Sequence, residues 1–363
     1  MRSLFRLLLV FLVLLAGSAL AQSPIEFESN PLNGANVNLK YLQTIQGEGE
    51  NLLTQPRDMV MDKDGFLYVL DGREPHVFIF DPSRHLISNF GKRGQGPGEF
   101  ESPAGIALGP NRVIYITDSR NSSVTLIDEN GKFIDRLRLK ASTYLPYVRV
   151  LSNGNMIHSL PTGLSATEKD SNPPFSTYNP KGKALHQFGD TLPFEDAAAQ
   201  ISGNAVDFCM KGDTLYASFI HQNRIESYLQ DGTLLFSIQR TRQLPYKVSL
   251  EAEMETTRQK GLVRWSAPRL NRFSCGIGID NKNHIWIMTL CKQPKFKDLV
   301  NIEDDQTSYL ELEQYDRNGK LLGLFPIKTG LDIRRNLFVF GDRLFIKDSA
   351  NAAIYEYQIL DGI

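Results

Sequence analysis

The sequence predicts an all-β protein, a six-bladed β-propeller of four-stranded antiparallel blades. A strand–turn–strand unit recurs along the chain, with alternating apolar residues and with Gly, Asn or Asp at the turns. The unit occurs six times at a spacing typical of propeller blades. The sixth unit supplies only three strands, and an alternating segment upstream, residues 37–45, is available as its fourth. We therefore expect this N-terminal strand to close the ring by pairing with the last blade, which removes open sheet edges.

The repeat is clearest in the first two units. Residues 56–71 align with residues 103–118, so that Tyr68 and Tyr115 hold the same position in the second strand. The alternative, two separate β domains, is disfavoured because the period continues across every plausible boundary. In the four later units the same position is held by Ile157, Tyr216, Trp286 and Phe345.

A signal peptide precedes the propeller in this interpretation. Arg2 and Arg6 come before an apolar run, and residues 19–21 (Ala-Leu-Ala) form a signal-peptidase site, so we expect cleavage before Gln22. The run is short for a bilayer span, which makes an uncleaved anchor the weaker alternative. No lipobox cysteine follows the site, so the product is expected to be periplasmic or extracellular. The expected organisation is a signal peptide at 1–21, a lead segment at 22–36 and the propeller at 37–363.

Composition and charge exclude several classes of protein. With 41% hydrophobic and 22% charged residues, the chain is neither disordered nor collagen-like. Lys and Arg number 40 and Asp and Glu 41, and a net charge of −1 gives no sign of a nucleic-acid partner. Three cysteines are too few for a disulfide framework, and whether Cys275 and Cys291 form one bond stays open. No later segment is a candidate transmembrane span.

The first two units resemble NHL repeats. The resemblance rests on residues 94–100 (Gly-Gln-Gly-Pro-Gly-Glu-Phe), Pro103 and residues 114–118 (Ile-Tyr-Ile-Thr-Asp), with a second copy that begins at residues 47–50 (Gly-Glu-Gly-Glu). It covers roughly residues 47–139, and the later units share only the rhythm of strands and turns. The resemblance implies a propeller similar to the secreted bacterial six-bladed propellers, a fold on which several unrelated functions are known.

Loop lengths indicate which face of the ring carries function. The turns between strands one and two, and between strands three and four, are short in every unit, whereas every long insertion lies at the opposite end of the blades. We call these ends the tight-turn face and the elaborated face. Insertions that gather on one face of a repeat fold commonly mark its binding face, and neutral drift of tolerant loops is the alternative. The insertions fall near residues 161–174, 190–204, 240–271 and 291–307.

The longest insertion, between blades four and five, is predicted to carry a short helical lid. Residues 249–261 begin with an N-cap serine, place acids early and bases late, and end in glycine. Trp265 follows between arginines, which suits either stacking on a ligand or packing of the lid onto the ring. Arginines near the starts of first strands favour an anionic ligand, unless they form structural salt bridges. The candidate ligand-binding residues are Arg57, Arg149, His221, Trp265, Arg272 and Arg334.

The sequence contains no catalytic constellation that we can assemble. Asp71, Asp118 and Asp348 occupy equivalent positions at the end of strand two, where an aspartate can accept hydrogen bonds from backbone N–H groups. The weaker alternative is that the three carboxylates surround a cation. We therefore predict an exported, non-catalytic binding or scaffolding propeller that engages a protein, peptide or glycan on the elaborated face, without a cofactor. The alternative is a hydrolase or lyase that holds calcium or zinc at the channel mouth, suggested by His76 and His221.

Overall fold

The structure of the chain is a computed structural model. It describes residues 25–31, 33–121, 123–139, 147–159, 173–194, 203–240, 257–259, 262–264, 272–292, 309–327 and 335–361. The predicted signal peptide and most of the four predicted insertions lie outside these residues. Within them, no helix is long and apolar enough to cross a membrane.

Six four-stranded antiparallel blades follow one another along the chain. Strand β1, Leu39–Ile45, precedes a small hairpin of β2, Gly47–Glu48, and β3, Asn51–Leu52. Blades one and two comprise β4 Pro56–Met61, β5 Leu67–Asp71, β6 Val77–Phe80, β7 Leu86–Phe90, β8 Pro103–Leu108, β9 Ile114–Asp118, β10 Ser123–Ile127 and β11 Phe133–Leu137. Blades three and four comprise β12 Val148–Val150, β13 Met156–Ser159, β14 Phe175–Tyr178, β15 Ala184–Phe188, β16 Val206–Lys211, β17 Thr214–Phe219, β18 Arg224–Tyr228 and β19 Leu234–Gln239.

Blades five and six follow a short hairpin of β20, Thr257–Gln259, and β21, Leu262–Arg264. They comprise β22 Ser274–Asp280, β23 Ile285–Leu290, β24 Leu310–Tyr315, β25 Leu321–Pro326, β26 Leu337–Gly341, β27 Arg343–Asp348 and β28 Ala353–Ile359. A single 3₁₀ turn, Pro110–Arg112, separates β8 from β9. The propeller predicted from the repeat is thereby confirmed.

The N-terminal strand closes the ring as predicted. Strand β1 pairs antiparallel with β28 over its whole length and becomes the outermost strand of blade six. The first strand of blade six also pairs in parallel with that of blade five, with Phe340 opposite Ile279. These two pairings tie the last blade both to the start of the chain and to the blade before it.

A buried ion pair reinforces this closure. The carboxylate of Glu356 in β28 accepts hydrogen bonds from Arg84 Nε at 2.9 Å and Nη2 at 2.8 Å, and from Gln43 Nε2 at 2.9 Å. Arg84 lies in a turn of blade one and Gln43 lies in β1, so one carboxylate joins the first blade to the closing strand. Loss of one partner of such a pair leaves an uncompensated buried charge, and ring closure therefore depends on it.

Apolar side chains fill the spaces between neighbouring blades. Tyr68 of blade one packs with Ile106 and Ile116 of blade two, and Ile225 of blade four packs with Ile279 of blade five. The second strands are buried on both faces, which explains why they read as nearly continuous apolar runs in the sequence. Burial of each large side chain of this kind contributes roughly 1.5–3 kcal/mol.

The predicted helical lid is not supported where the structure describes it. Thr257–Gln259, inside the expected helix at 249–261, forms a strand that pairs antiparallel with Leu262–Arg264. Only Lys260 and Gly261 separate the two strands in the sequence, and a two-residue connection with glycine is typical of a β-hairpin. The rest of the expected helix lies outside the described residues.

The cysteines are free thiols in the structure, so Cys275 and Cys291 form no disulfide. Cys275 is buried in the core of blades five and six, and the thiol of Cys291 lies 3.2 Å from the backbone oxygen of Tyr309. The bond that the sequence left open is therefore absent.

Candidate functional site

The first strands of the six blades surround a central channel whose two halves differ in chemistry. Toward the tight-turn face its wall is apolar, with Met61, Leu108 and Val150 at the ends of their strands. Toward the elaborated face it carries charged side chains, which begin with Asp58 in β4 and Asp207 in β16. We call the charged group the channel cluster. It comprises Asp58, Arg149, Asp207, Arg272, Arg335 and Lys347.

Asp58 connects four of the six blades. Its fully buried carboxylate accepts a hydrogen bond from Ile106 N of blade two at 3.0 Å. It also lies 3.2 Å from Arg149 Nη1 in blade three and 3.4 Å from Arg335 Nη1 just before blade six. Burial by itself raises the pKa of Asp58, but the charges of Arg149 and Arg335 outweigh it and hold the pKa below its ordinary value. Asp58 is therefore ionised at neutral pH and serves as the counter-ion of two guanidinium groups.

Arg335 is a desolvated cation with unused donors. Its side chain is 2% exposed, and its guanidinium lies over the rings of Tyr147 at 4.5 Å and Phe338 at 4.9 Å. Nη2 donates to the backbone oxygen of Phe208 at 3.2 Å, whereas Nε and Nη1 make no hydrogen bond. Burial alone lowers the pKa of Arg335, but the charge of Asp58 raises it above its ordinary value. The group therefore stays protonated, with capacity to donate to an anion.

Arg149 lies inside the channel and is paired. Besides Asp58, it binds the backbone oxygens of Ile106 at 3.2 Å and Val148 at 2.7 Å. Its guanidinium also lies 5.8 Å from the ring centre of Phe208. This is the structural salt bridge that the sequence left as an alternative to a ligand-binding arginine at the mouth.

Asp207 is the second carboxyl of the channel cluster, and it has no such counter-ion contact. It is 2% exposed, and its Oδ2 makes no hydrogen bond. Burial raises the pKa of Asp207, although the positive charges of Arg335, Arg272 and Lys347 act in the opposite direction. The charges of three cations thus act on one buried carboxyl group whose Oδ2 has no hydrogen-bond donor.

The remaining predicted residues are distributed over the elaborated face. Arg57 is half-buried; its side chain packs over Gly72, and its backbone oxygen accepts a hydrogen bond from Lys347 Nζ at 3.0 Å. Arg272 is half-buried ahead of β22, and His221 is half-buried in the loop after β17. Of the predicted set, the structure brings Arg149 and Arg272 into the channel cluster. Trp265 and Arg334 lie outside the described residues.

The recurrent aspartates bind backbone N–H groups at the ends of the second strands. Asp71 accepts bonds from Thr54 N at 2.6 Å and Gln55 N at 2.7 Å. Asp118 and Asp348 accept comparable bonds from Glu101, Ser102, Arg120, Asn121, Ala350 and Asn351. In the described ranges, no group of three or more His, Cys, Asp and Glu side chains is placed to hold a metal ion.

Sequence reasoning missed Arg335, Asp207 and Lys347. A signal was present, because Asp207 interrupts a first strand that is otherwise largely apolar, and a buried charge requires partners. Cys209 packs against the core of blades four and five and also lines the channel, where burial raises the pKa of its thiol to about 12.

A closed ring of six four-stranded blades around a charged channel defines the protein as a six-bladed β-propeller. The chain belongs to the family described as 6-bladed beta-propeller (DUF5128), whose model matches residues 42–341. The resemblance to NHL repeats in particular stays a prediction.

Solved structures with the same fold include three bacterial proteins. A member of the DUF4221 family from Bacteroides vulgatus has a TM-score of 0.60 and 10% identity, over 93% of this chain and 98% of that chain. A proposed exported protein from Bacteroides fragilis has a TM-score of 0.63 and 12% identity, over 92% of this chain and 98% of that chain. A gluconolactonase from Xanthomonas campestris has a TM-score of 0.50 and 14% identity, over 93% of this chain and 96% of that chain. At such identities the similarity shows the fold alone.

Proposed function

We propose that the protein is an exported, non-catalytic binding or scaffolding propeller that engages a protein, peptide or glycan at the elaborated face, above the channel cluster. One observation carries the proposal. Asp207, Arg272, Arg335 and Lys347 converge at this end of the channel with more positive than negative charge and with a carboxyl oxygen that no donor satisfies. A buried polar atom of this kind is costly unless a partner binds it.

The charges indicate what the ligand presents. Guanidinium and ammonium groups bind carboxylates and other oxyanions, and Asp207 Oδ2 accepts an N–H or O–H donor. Acidic peptides and glycans that carry carboxylates offer both kinds of group on one molecule. Export is supported by the signal-like N-terminus and by the proposed export of the relative from Bacteroides fragilis.

The test is retention of the mature chain, residues 22–363, on arrays of synthetic acidic peptides and of carboxylated glycans. The double variant Trp265→Ala/Arg272→Ala should lose retention of the best probe without a fall in melting temperature. Arg120→Ala is the matched control, because the Arg120 side chain is 75% exposed and lies outside the channel. Retention unchanged in the double variant, or no probe retained by the parent chain, would contradict the proposal.

The metal-dependent alternative gains no specific support in the described part of the chain, because the backbone N–H groups already occupy the recurrent aspartates. One equivalent of calcium or zinc that stays with the purified mature chain would favour that alternative over the binding propeller.

A further inference from the structure

A cavity of about 180 Å³ lies in the tight-turn half of the channel, at the opposite end from the elaborated face. All six first strands contribute to its wall. The side chains that line it are apolar apart from three, and methionine and aromatic residues are prominent among them. The apolar members include Met59, Met61, Leu108, Met210, Phe338 and Phe340.

The polar part of the wall consists of Arg149, Arg335 and Cys209. Asp58 is the carboxylate in ion-pair contact with the two guanidinium groups, so the inner end of the cavity keeps an excess positive charge. Asp207 is the other acid near Arg335, and it faces Arg272 and Lys347 as well. The thiol of Cys209 is neutral and adds no negative charge.

Arg335 is the group that marks this cavity as a binding site. The guanidinium is buried and lies over the rings of Tyr147 and Phe338; its Nε has no hydrogen-bond acceptor, and its Nη1 has only the ion-pair contact with Asp58 at 3.4 Å. Water-excluded surroundings strengthen the attraction between a guanidinium and a carboxylate. Contacts with the two rings hold the guanidinium in place, so the Arg335 side chain loses little further conformational freedom when an anion binds.

The size and lining of the cavity indicate the chemistry of the part of the ligand that does not contact Arg335. A protein cavity of about 150 Å³ lined by apolar side chains accommodates a benzene molecule. Methionine side chains adapt to irregular shapes and make favourable contacts between sulfur and aromatic rings. We propose that the tight-turn half of the channel is a binding site for a small aromatic carboxylate, with its ring among the methionine and phenylalanine side chains and its carboxylate at Arg335.

Phenylacetate is the probe, titrated calorimetrically into the mature chain, residues 22–363. We expect saturable one-to-one binding with a dissociation constant of about 1 mM or below, as suits a ligand of about ten non-hydrogen atoms. Phenylacetamide, which lacks the charge, and acetate, which lacks the ring, should each bind at least about tenfold more weakly. The proposal would be overturned if phenylacetamide or acetate bound as tightly as phenylacetate, or if phenylacetate showed no saturable binding.

Two variants locate the site. Arg335→Gln should weaken phenylacetate at least about tenfold. Because Arg335 also faces Asp58, a second variant that keeps the charges is needed. Val150→Phe adds a ring at a position that lines the cavity and should abolish binding in protein that still shows a cooperative melting transition. Arg120→Gln, on the exposed surface, is the control and should bind as the parent does. Parent-like affinity in folded Val150→Phe protein would place the ligand elsewhere and contradict the proposal.

Discussion

Replacement of Asp58 by Asn tests the channel cluster most sharply. The substitution keeps the shape of the side chain but removes the counter-ion that lies 3.2 Å from Arg149 Nη1 and 3.4 Å from Arg335 Nη1. Both guanidinium groups are then buried without their charge partner. Removal of one partner from a buried pair costs about 3–5 kcal/mol, and we expect a loss of that size in the free energy of unfolding.

The same charges predict a pH dependence. The pKa of Asp58 is lower in the folded protein than in the unfolded chain. Its contribution to stability is therefore present above about pH 4, the unfolded pKa of an aspartate, and is lost as the pH falls through the folded pKa. Asp58→Asn should remove this part of the acid-induced loss of stability, so that the two proteins converge in stability at low pH.

The assay is equilibrium denaturation in urea, followed through tryptophan fluorescence, to which the buried Trp286 contributes. The matched control is Asp64→Asn, because Asp64 pairs with Arg112 at the surface with its side chain 46% exposed, and exposed pairs contribute about 1 kcal/mol or less. A loss below about 1 kcal/mol for Asp58→Asn, or an equal loss in both variants, would show that Asp58 does not hold the inner strands together.

Three further predictions follow from buried carboxyl groups outside that contact. Glu356→Gln should lower the free energy of unfolding by about 3–5 kcal/mol, because Arg84 loses its buried partner and the ring closure weakens. Limited proteolysis that releases β1 first would show the weakened closure, and a digest identical to that of the parent chain would contradict it. The parent chain should gain stability as the pH falls from neutral toward about 4, because the raised pKa of Asp207 in the folded protein means that this carboxyl takes up a proton on folding. Asp207→Asn should remove that gain. Identical pH profiles of the two proteins in urea denaturation would count against this prediction. Asp71→Ala should cost roughly 2–3 kcal/mol in the same assay, because backbone N–H groups lose their acceptor, whereas a neutral effect would favour another role for the recurrent aspartates.

The fold could be predicted because its signals are local and repeated. Alternating strands, tight turns with glycine and the spare strand at residues 37–45 each depend on a few neighbouring residues, and the structure confirms the six blades and the closure by β1. The prediction of a helical lid was wrong because it, too, relied on local signals alone. Capping signals at 249–261 are short-range preferences, and the pairing of β20 with β21 overrides them.

The channel was harder to predict, because it forms from residues that are far apart in the sequence. Asp58, Arg149 and Arg335 meet only when blades one, three and six surround a common axis. The sequence identified arginines near the starts of first strands, but it could not tell Arg149, which is paired with Asp58, from a ligand-binding residue. Arg335 was overlooked, because nothing local in the sequence shows that its side chain enters the channel.

Hydrogen–deuterium exchange of the mature chain, alone and with the best peptide or glycan probe from the arrays, tests the proposed binding face most directly. We expect slower exchange around the starts of β16, β22 and β26, where Asp207, Arg272 and Arg335 lie, and unchanged exchange in the tight turns at residues 62–66 and 128–132. Protection confined to those tight turns, or no protection near the channel cluster, would contradict it.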